Sequence, residues 1–518
     1  MFATALIIAA ALLAGVGLLI YLPTRAAKAE KPNVVIIMSD DQDVDSIPVM
    51  RKLMANPEGS WVNFTSAFSN TSICTAARAT LLTGQYSHTN GILGNNWGGE
   101  FDNENTLAVW LDDAGYQTAL IGKFLHFQPG EYGDERKIYD MPGWDLYSIS
   151  YLTVDEHTQE AVDFISDADS PFFLWLAYRA PHKTAEPPDR YQGIDVFVPP
   201  DRPNFNEKDM SDKPEHMRGL PSLSAEDITG LRKERANSQR ELLAIDDGIE
   251  AVMNTLEAKG ELDNTMIIYV GDNGYSWGAH RLYKKLCPYE ECNLVPLFIR
   301  YPGLGQSRTE THYVSMVDLA ATIADYAGVR PRLPQDGRSL LPLLNGTAPG
   351  WNDAVLLERA YGRTGYFSAR SPGWSYIEYA TGEKELYDLT ADPYQLQNVA
   401  GKPGYAAQQA VMAQQLRNLL DPPVATPTPT ASPTATEGPS STPTATATAT
   451  ATPTITLSPT DGPSPTPTET LTPTATATNG PSPTPTQTLE PTPTAPHAPP
   501  DRTLYLPLVT GEFAMQVP

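Results

Sequence analysis

A cysteine and an arginine stand one helical turn apart in the stretch Ser72–Gly84. Cys74 lies just ahead of a run rich in alanine and leucine that predicts a helix, and Gly84 is a typical helix stop. Both Cys74 and Arg78 can therefore face one site, where a helix N-terminus stabilises a nucleophile or an anionic substrate. A single cysteine is more often a buried structural residue, so the run as a whole, rather than the cysteine alone, favours a catalytic role for Cys74.

Four oxygen-bearing side chains follow two apolar runs that predict buried strands. The first run, Val34–Met38, is continuous and largely β-branched, as is typical of a strand buried on both faces of a parallel sheet. Open α/β sheets place their sites at the carboxyl ends of their strands. Oxygen ligands suit Ca²⁺ or Mg²⁺ rather than zinc, although one such pair alone could equally be a loop or capping pair. The four residues are Asp40, Asp41, Asp272 and Asn273.

The stretch from Cys74 to Gly84 resembles the active-site motif of sulfatases, Cys-x-Pro/Ala-x-Arg followed by Leu-Thr-Gly. Ala76 stands where most members of that family have proline. The resemblance implies that Cys74 is oxidised to formylglycine by a maturation enzyme, either a formylglycine-generating enzyme or a radical enzyme. It also implies that the hydrated aldehyde attacks sulfur, and that Arg78 holds residue 74 and its metal contact.

The two acidic segments resemble the metal-binding segments of the same family, an Asp-Asp after the first strand and a later Asp-Asn-Gly. The resemblance implies a Ca²⁺ site, with Mg²⁺ as the alternative ion. It places residue 74 in contact with the metal as well. The implied ligands are Asp40, Asp41, Cys74, Asp272 and Asn273.

Two further motifs that resemble sulfatase motifs carry basic side chains. Gly115–His126 resembles the second family motif and implies that Lys123 binds the sulfate, although the chain has Lys-x-x-His where many sulfatases have Lys-x-His. The Ala-Pro-His that ends at His182 resembles the family's own Ala-Pro-His. It implies that His182 is a sulfate ligand or the donor of the proton that the leaving alcohol takes up.

The last motif is Gly278–Lys285, which resembles the family pattern Gly-x-His-Gly-x-x-x-Lys. Arg281 replaces the usual glycine. Counting from Gly278, the resemblance implies that Lys285 contacts the sulfate, and Lys284 is the alternative by one residue.

The elements that must position these side chains form an α/β pattern. Pro171–Tyr178 predicts another buried strand, and Arg235–Glu257 predicts a long helix whose apolar stripe belongs to the core. The Pro-rich segment Ala185–Glu226 is long for a loop and is expected to shape a cleft. The resemblance implies an alkaline-phosphatase-like α/β sandwich with a central, mostly parallel sheet, followed by a small C-terminal α+β subdomain.

Charge and length limit the class of protein. The 518 residues carry 36 basic and 61 acidic side chains, a formal charge of −25, which argues against nucleic acid as a partner. Net charge would not steer a sulfated substrate to this chain, so local basic side chains and a metal must attract it.

The N-terminus predicts export, and the composition after the folded part predicts a stalk. Residues 2–23 are apolar and fit either a cleaved signal peptide or a retained anchor, with the second giving membrane or cell-surface attachment. A Thr/Pro-rich segment that cannot bury a core follows the folded part. The predicted domains are a signal peptide or anchor at 1–29, a catalytic domain at 31–345, the C-terminal subdomain at 346–421, a stalk at 422–500 and a tail at 501–518.

Three cysteines leave one odd in an exported chain. Cys287 and Cys292 are close enough to close a small disulfide loop if the backbone turns between them, which the sequence does not decide. If they pair, Cys74 is the remaining thiol.

The motifs together predict an exported sulfatase that hydrolyses sulfate esters of a small molecule or glycan. The Gly-Lys-Phe-Leu-His around Lys123 and the segment Leu242–Gly248 resemble the N-acetylglucosamine-6-sulfatase branch, which implies a sulfated carbohydrate. Two alternatives stay open: a phosphoesterase of the same superfamily, and a surface protein with an unmatured site that binds sulfated polymers without turnover. A mainly structural stalk protein would leave the site motifs unexplained.

Overall fold

The computed structural model describes the part of the chain that the sequence predicts to be folded. Of the predicted domains, the leader or anchor, the tail and all but the first residue of the stalk lie outside the described residues, and the domain boundaries stay predictions. Among the described residues, no helix is long and apolar enough to cross a membrane. The described residues are 31–55, 61–126, 141–149, 152–183, 186–348, 350–351 and 354–422.

Strands and helices alternate through most of this region. The strands are β1 (Asn33–Ser39), β2 (Trp61–Phe64), β3 (Ala67–Phe68), β4 (Gln117–Gly122), β5 (Leu146–Ser148), β6 (Phe172–Ala177), β7 (Thr265–Gly271), β8 (Ser276–Trp277), β9 (Tyr283–Lys284), β10 (Leu297–Arg300), β11 (Arg308–Glu310), β12 (Val314–Ser315), β13 (Val355–Arg359), β14 (Tyr366–Ser371), β15 (Trp374–Tyr379) and β16 (Lys384–Asp388). The α-helices are α1 (Arg51–Ala55), α2 (Cys74–Thr83), α3 (Ser87–Asn90), α4 (Leu107–Asp113), α5 (Val154–Asp167), α6 (Glu215–Arg218), α7 (Ala225–Lys259), α8 (Glu290–Asn293), α9 (Asp318–Ala327), α10 (Leu341–Leu344) and α11 (Ala406–Leu420). Short 3₁₀ turns lie at Val44–Val49, Asn95–Glu100, Asp189–Tyr191, Leu262–Asn264 and Pro403–Tyr405.

The centre of the fold is an eight-stranded sheet in the order β11-β2-β10-β7-β1-β6-β4-β5. The five neighbours β5, β4, β6, β1 and β7 are mutually parallel, and β10 runs antiparallel to β7. The predicted central, mostly parallel sheet is therefore confirmed. Parallel strands next to one another end at the same edge, which is where the predicted site residues follow them.

Both faces of the sheet are covered by helices. In β1, Val35 and Ile37 point into the core under α7, while Ile36 points into the core that contains α2 residues such as Leu82. Every residue of β1 is buried. A strand buried on both faces needs a continuous apolar run rather than an alternating one, which is the pattern the sequence has.

Helix α7 is longer than its apolar stripe predicts. It begins at Ala225, ten residues before the predicted Arg235, because Ser224 and Asp227 form a capping box at its start. The first turns are polar and exposed, so apolar periodicity alone missed them. The helix ends at Gly260, which adopts the left-handed conformation with φ 78°.

The C-terminal part is a four-stranded antiparallel sheet, β13-β14-β15-β16, with α11 packed on one face. Met412 and Leu416 of α11 are buried against it, as their helical spacing predicts. The other face contributes Tyr366 and Tyr387 to a core shared with Tyr289 of the preceding region. The predicted small α+β region is present, and this shared core joins it to residues that precede it in the chain.

Candidate active site

Four parallel strands end at the same place, and each carries a predicted site residue beyond its carboxyl end. Backbone hydrogen bonds hold these ends together: Asp272 N donates to Ser39 O at 3.0 Å, and Lys123 N donates to Ala177 O at 2.7 Å. The convergence follows from sheet order, because β4, β6, β1 and β7 are consecutive neighbours. The residues delivered this way are Asp40 and Asp41 after β1, Lys123 after β4, His182 after β6, and Asp272 and Asn273 after β7.

Helix α2 enters this edge with its N-terminus. Cys74 is its first residue, whereas the sequence placed the cysteine just ahead of the helix; Gly84 ends the helix in the left-handed conformation with φ 66°, as predicted. Arg78 is fully buried; its Nε donates to Asp272 Oδ2 at 3.0 Å, and a second nitrogen donates to Lys123 O at 2.5 Å. The arginine thus joins the helix to two strand ends at once.

A buried group of Asp40, Asp41, Cys74 and Asp272 could hold a metal ion. Each offers one ligand atom, and these atoms lie within 4.8 Å of one another. Asn273 fits the same purpose: its amide donates to Asp41 Oδ1 at 2.7 Å, whereas its buried Oδ1 has no hydrogen-bond partner. A cation is one partner that could satisfy a buried carbonyl oxygen of this kind. The donor set is mostly oxygen, which suits a hard cation.

Cationic side chains surround the carboxylates. Lys123 Nζ donates to Asp40, and Lys285 Nζ donates to Asp41 and lies 2.7 Å from Cys74 Sγ. His182 Nε2 lies 3.6 Å from Asp41 Oδ2. All the basic residues predicted for the site therefore meet at the acidic group, and the structure brings Lys285 rather than the alternative Lys284 to Cys74.

The position of Lys123 depends on the glycine before it. Gly122 has φ 102°, and a Cβ there would lie 2.1 Å from Ala177 O. Only glycine allows β4 and β6 to approach this closely with that backbone conformation. The close approach aims the next residue, Lys123, at Asp40.

Burial and charge shift several pKa values at the site. Burial raises the pKa of Asp40, but Lys123, His182, Arg78 and Lys285 outweigh it and hold that pKa well below its usual value. Burial, reinforced by the charge of Asp40, raises the pKa of the Cys74 thiol to about 12. The unmodified side chain is therefore a neutral thiol at pH 7 and a weak nucleophile.

The same environment shifts the pKa values of Asp272 and His182. Burial and the nearby charge of Asp40 raise the pKa of Asp272 to about 6. Burial lowers the pKa of His182, and the charges of Asp40 and Asp41 oppose that shift only in part. A cation bound here would relieve the repulsion between these carboxylates.

The loop that carries Lys285 is held from two sides. Cys287 and Cys292 form a disulfide, which answers the question that their spacing left open and leaves Cys74 as the free thiol. Arg281, which stands where the family motif has glycine, adopts φ 59°. Its guanidinium donates to the backbone oxygens of Glu207 at 2.7 Å and Leu220 at 2.8 Å. The Pro-rich segment 186–226 thus contacts this loop; its role in a cleft stays a prediction.

Sequence reasoning missed a hydrogen-bonded group of three residues, two of which lie close in the chain to predicted site residues. Lys183 Nζ donates to Tyr283 OH at 2.9 Å and pairs with Glu234 Oε1 at 3.0 Å. Tyr283 OH also donates to Glu234 at 2.5 Å. The sequence did indicate two of them by their position beside predicted site residues: Lys183 follows His182, and Tyr283 lies two residues before Lys285.

Comparison with known proteins identifies the family. The Sulfatase family model matches residues 32–329, and the model described as N-sulphoglucosamine sulphohydrolase, C-terminal matches residues 278–421. The human N-acetylglucosamine-6-sulfatase is 30% identical over 459 residues, covering 72% of this chain and 82% of the relative. An extracellular sulfatase SULF-1 homolog of Drosophila melanogaster is 28% identical over 381 residues, covering 65% of this chain and 34% of that relative.

A solved structure shows the same fold. It is a protein in complex with its substrate D-glucosamine-2-N,6-O-disulfate, and it superposes with a TM-score of 0.66 at 24% identity. The match covers 75% of this chain and 97% of the other. The predicted sandwich is therefore confirmed for the folded part of the chain.

Proposed function

This chain belongs to the sulfatase family and is a sulfuric ester hydrolase, and from that premise we propose that it removes 6-O-sulfate from glucosamine-type residues of sulfated glycans. Relatives named as N-acetylglucosamine-6-sulfatases support this substrate. The observation that carries the proposal is the meeting of the buried acidic group, Cys74 and the surrounding cations at one sheet edge.

The acidic group fits a divalent cation, which we assign as Ca²⁺, with Mg²⁺ as the alternative. Asp40, Asp41, Asp272 and Asn273 would hold it through oxygen, together with residue 74. A cation there supplies charge neutralisation for the sulfate oxygens. Within the protein, Arg78 fixes the Asp272 carboxylate through two contacts of 3.0 Å, so this ligand is oriented before any ion arrives.

Residue 74 would carry the nucleophile. Oxidised to formylglycine by a maturation enzyme, it would supply a hydrated aldehyde that reacts with sulfur. The chain's contribution is position: residue 74 lies in the first turn of α2, next to Lys285 and Asp40. Ala76 is buried and packs in the helix without proline. The unmodified thiol of Cys74 is neutral at pH 7, which agrees with a need for modification.

The basic side chains have separate tasks in this proposal. Lys123 and Lys285 bind the sulfate oxygens, because each places an ammonium group beside the acidic group and remains partly accessible. His182 would hold at Nε2 the proton that the leaving alcohol takes up, since this atom lies 3.6 Å from Asp41 Oδ2 on a side chain that is 29% exposed. The lysines would thus stabilise the negative charge on the sulfate oxygens, and the histidine would neutralise the charge that develops on the leaving alcohol oxygen.

Export to the cell exterior or surface is part of the same proposal. It rests on the apolar run at residues 2–23 and on the similarity to an extracellular sulfatase. A sulfated glycan outside the cell is a substrate that an enzyme on a Thr/Pro-rich stalk can reach.

Two measurements on protein isolated from its native host test the proposal. The mass of the peptide with residue 74 should correspond to formylglycine, and the protein should release sulfate from N-acetylglucosamine 6-sulfate. An unmodified cysteine in the native protein would contradict the mechanism. Release of phosphate from a matched phosphate monoester, with none of sulfate, would favour the phosphoesterase alternative instead. Binding of sulfated polymers without turnover would favour the unmatured binding protein.

A further inference from the structure

The loop that carries Lys285 adopts an unfavourable backbone conformation. Four residues with a Cβ have a positive φ between positions 280 and 286: His280 at 52°, Arg281 at 59°, Lys284 at 86° and Leu286 at 69°. Residues with a Cβ are less stable in this left-handed region, and such strain persists only where the surrounding structure holds it. Because Lys284 and Leu286 directly flank Lys285, contacts from other segments must hold this lysine in place.

One side of this loop is fixed by strand pairing, and the other side is fixed by the segment before helix α2. Lys284 is the last residue of β9, which pairs with β8. On the other side of Lys285, Leu286 N donates to Ser72 O at 3.2 Å. This bond ties the peptide unit that follows the lysine to a residue two positions before Cys74.

The carbonyl oxygen of Cys287 is a second fixed point of the loop. It accepts from Asn293 Nδ2 at 2.7 Å and from Tyr366 OH at 2.9 Å, and Ser72 Oγ lies 3.5 Å away. Tyr366 belongs to β14 of the C-terminal sheet and is 2% exposed. Burial raises the pKa of Tyr366, so the phenol keeps its proton at neutral pH and is the donor. Three side chains from separate segments thus converge on one carbonyl group.

The donors to this carbonyl differ in which parts of the fold they join. Asn293 is only six residues from Cys287 and also donates to Tyr289 O at 2.9 Å, so it belongs to the same local turn. Tyr366 is 79 residues from Cys287, and its hydrogen bond joins the C-terminal sheet to the loop. This tyrosine therefore connects a separate layer of the fold to a backbone position two residues after Lys285.

We propose that Tyr366 is a positioning residue that holds Lys285 in place through its hydrogen bond to Cys287 O. The C-terminal sheet is thereby coupled to the active site. The inference rests on the proposed function, in which Lys285 binds the sulfate. In the parent protein, Lys285 Nζ lies 2.7 Å from Cys74 Sγ and donates to Asp41. Without the Tyr366 donor the strained loop relaxes, and the ammonium group moves away from residue 74.

A double-mutant cycle on the matured protein tests this inference. With N-acetylglucosamine 6-sulfate as substrate, Tyr366→Phe should lower kcat/KM about tenfold, mainly through kcat, because a misplaced ammonium group stabilises the transition state less. Since Tyr366 acts through Lys285, the same change in a Lys285→Gln background should alter kcat/KM by less than about twofold. Tyr376→Phe is the matched control and should keep the kcat/KM of the parent protein. Tyr376 is a buried tyrosine of the same sheet, but its hydroxyl donates to Glu378 and its ring packs in the core that contains α11.

Crystal structures of the unmodified parent protein and of Tyr366→Phe supply a measurement that needs no turnover. We expect the distance from Lys285 Nζ to Cys74 Sγ to be longer in the variant by about 1 Å. An unchanged distance, an unchanged kcat/KM in Tyr366→Phe, or the same loss in both backgrounds would overturn the inference. Failure of the parent protein to release sulfate would contradict the proposed function instead, and the two crystal structures would still decide whether Tyr366 holds Lys285 in place.

Discussion

Lys285 Nζ lies 2.7 Å from Cys74 Sγ and also donates to Asp41, although 211 residues separate the lysine from the cysteine. This contact joins the loop after β9 to the first turn of α2. It places a positive charge beside the side chain that we propose to carry the nucleophile. The loop that carries the lysine is fixed by the Cys287–Cys292 disulfide.

Replacing Lys285 by glutamine should lower kcat/KM for a sulfate ester by about 10²–10³-fold. The reason is electrostatic: a buried ammonium beside the reacting atom stabilises the charge that develops on the sulfate oxygens. Steady-state kinetics on the matured protein measure this effect. Lys31→Gln is the matched control, because this exposed lysine precedes β1 and its ammonium lies 5.9 Å from the Tyr116 ring, at the opposite end of β1 from Asp40. A larger loss in Lys284→Gln than in Lys285→Gln would mean that the neighbouring lysine is the sulfate ligand.

If the acidic group binds the proposed cation, removing that cation should destabilise the protein as well as inactivate it. Ca²⁺ that binds only the folded state adds about 2.7 kcal/mol of stability at a free concentration one hundred times its Kd. The midpoint of thermal unfolding should therefore rise with Ca²⁺ and fall with a chelator. In Asp41→Asn the response should disappear, because the variant loses a charged ligand of the acidic group. Asp167→Asn, an exposed position at the end of α5, should respond like the parent protein. An unfolding midpoint that changes with neither Ca²⁺ nor Mg²⁺ would argue against a divalent ion at this site.

The strands and the residues that follow them could be predicted because each strand is a continuous apolar run with polar side chains at its end. Asp40 and Asp272 come together through strand pairing, and their placement requires only that β1 and β7 are parallel neighbours. The motif resemblance added Lys123 and Lys285, whose meeting with the acidic residues no local pattern specifies.

Contacts between distant segments could not be predicted in the same way. Lys183 and Tyr283 are 100 residues apart in the chain. Their hydrogen bond depends on how the loop after β6 packs against the hairpin formed by β8 and β9. The start of α7 at Ala225 was missed for a different reason. Its signal is the capping pair Ser224 and Asp227 rather than apolar periodicity.

A buried carboxylate links the C-terminal sheet to the catalytic region. Glu385 accepts hydrogen bonds from Tyr379 OH at 2.6 Å, from Tyr387 OH at 2.7 Å and from Tyr289 OH at 3.1 Å. Tyr379→Phe should lower the free energy of unfolding by about 1–3 kcal/mol, because a buried carboxylate loses a donor. Chemical denaturation measures the change.

A second tyrosine of the same sheet supplies the control for this effect. Tyr376 OH donates to Glu378, whose side chain is 39% exposed, so water can replace the lost donor in Tyr376→Phe. We expect a smaller change there than in Tyr379→Phe. Equal effects would show that the Glu385 network adds no more stability than a surface hydrogen bond.

His157 should make the folded state sensitive to acid. It is buried in α5, and burial lowers its pKa to about 4. In the unfolded chain the pKa of a histidine is near 6.5. Above that pH the folded state keeps its full stability, and the free energy of unfolding falls by about 3 kcal/mol as the pH falls towards 4. Denaturation curves between pH 7 and 4 should therefore show a steeper loss of stability in the parent protein than in His157→Leu.

His88 provides a contrast to His157, because the folded state raises the pKa of His88 and lowers that of His157. Burial lowers the pKa of His88, but Glu358, whose carboxylate lies 2.7 Å from the ring, outweighs burial and raises it. That stabilisation is fully present below the unfolded pKa and is lost as the pH rises through the folded pKa. His88→Gln should therefore lose more stability at pH 5 than at pH 8, whereas His157→Leu should gain relative to the parent protein as the pH falls. If both variants changed stability in the same direction across this range, the acid sensitivity would come from the carboxylates rather than from His157.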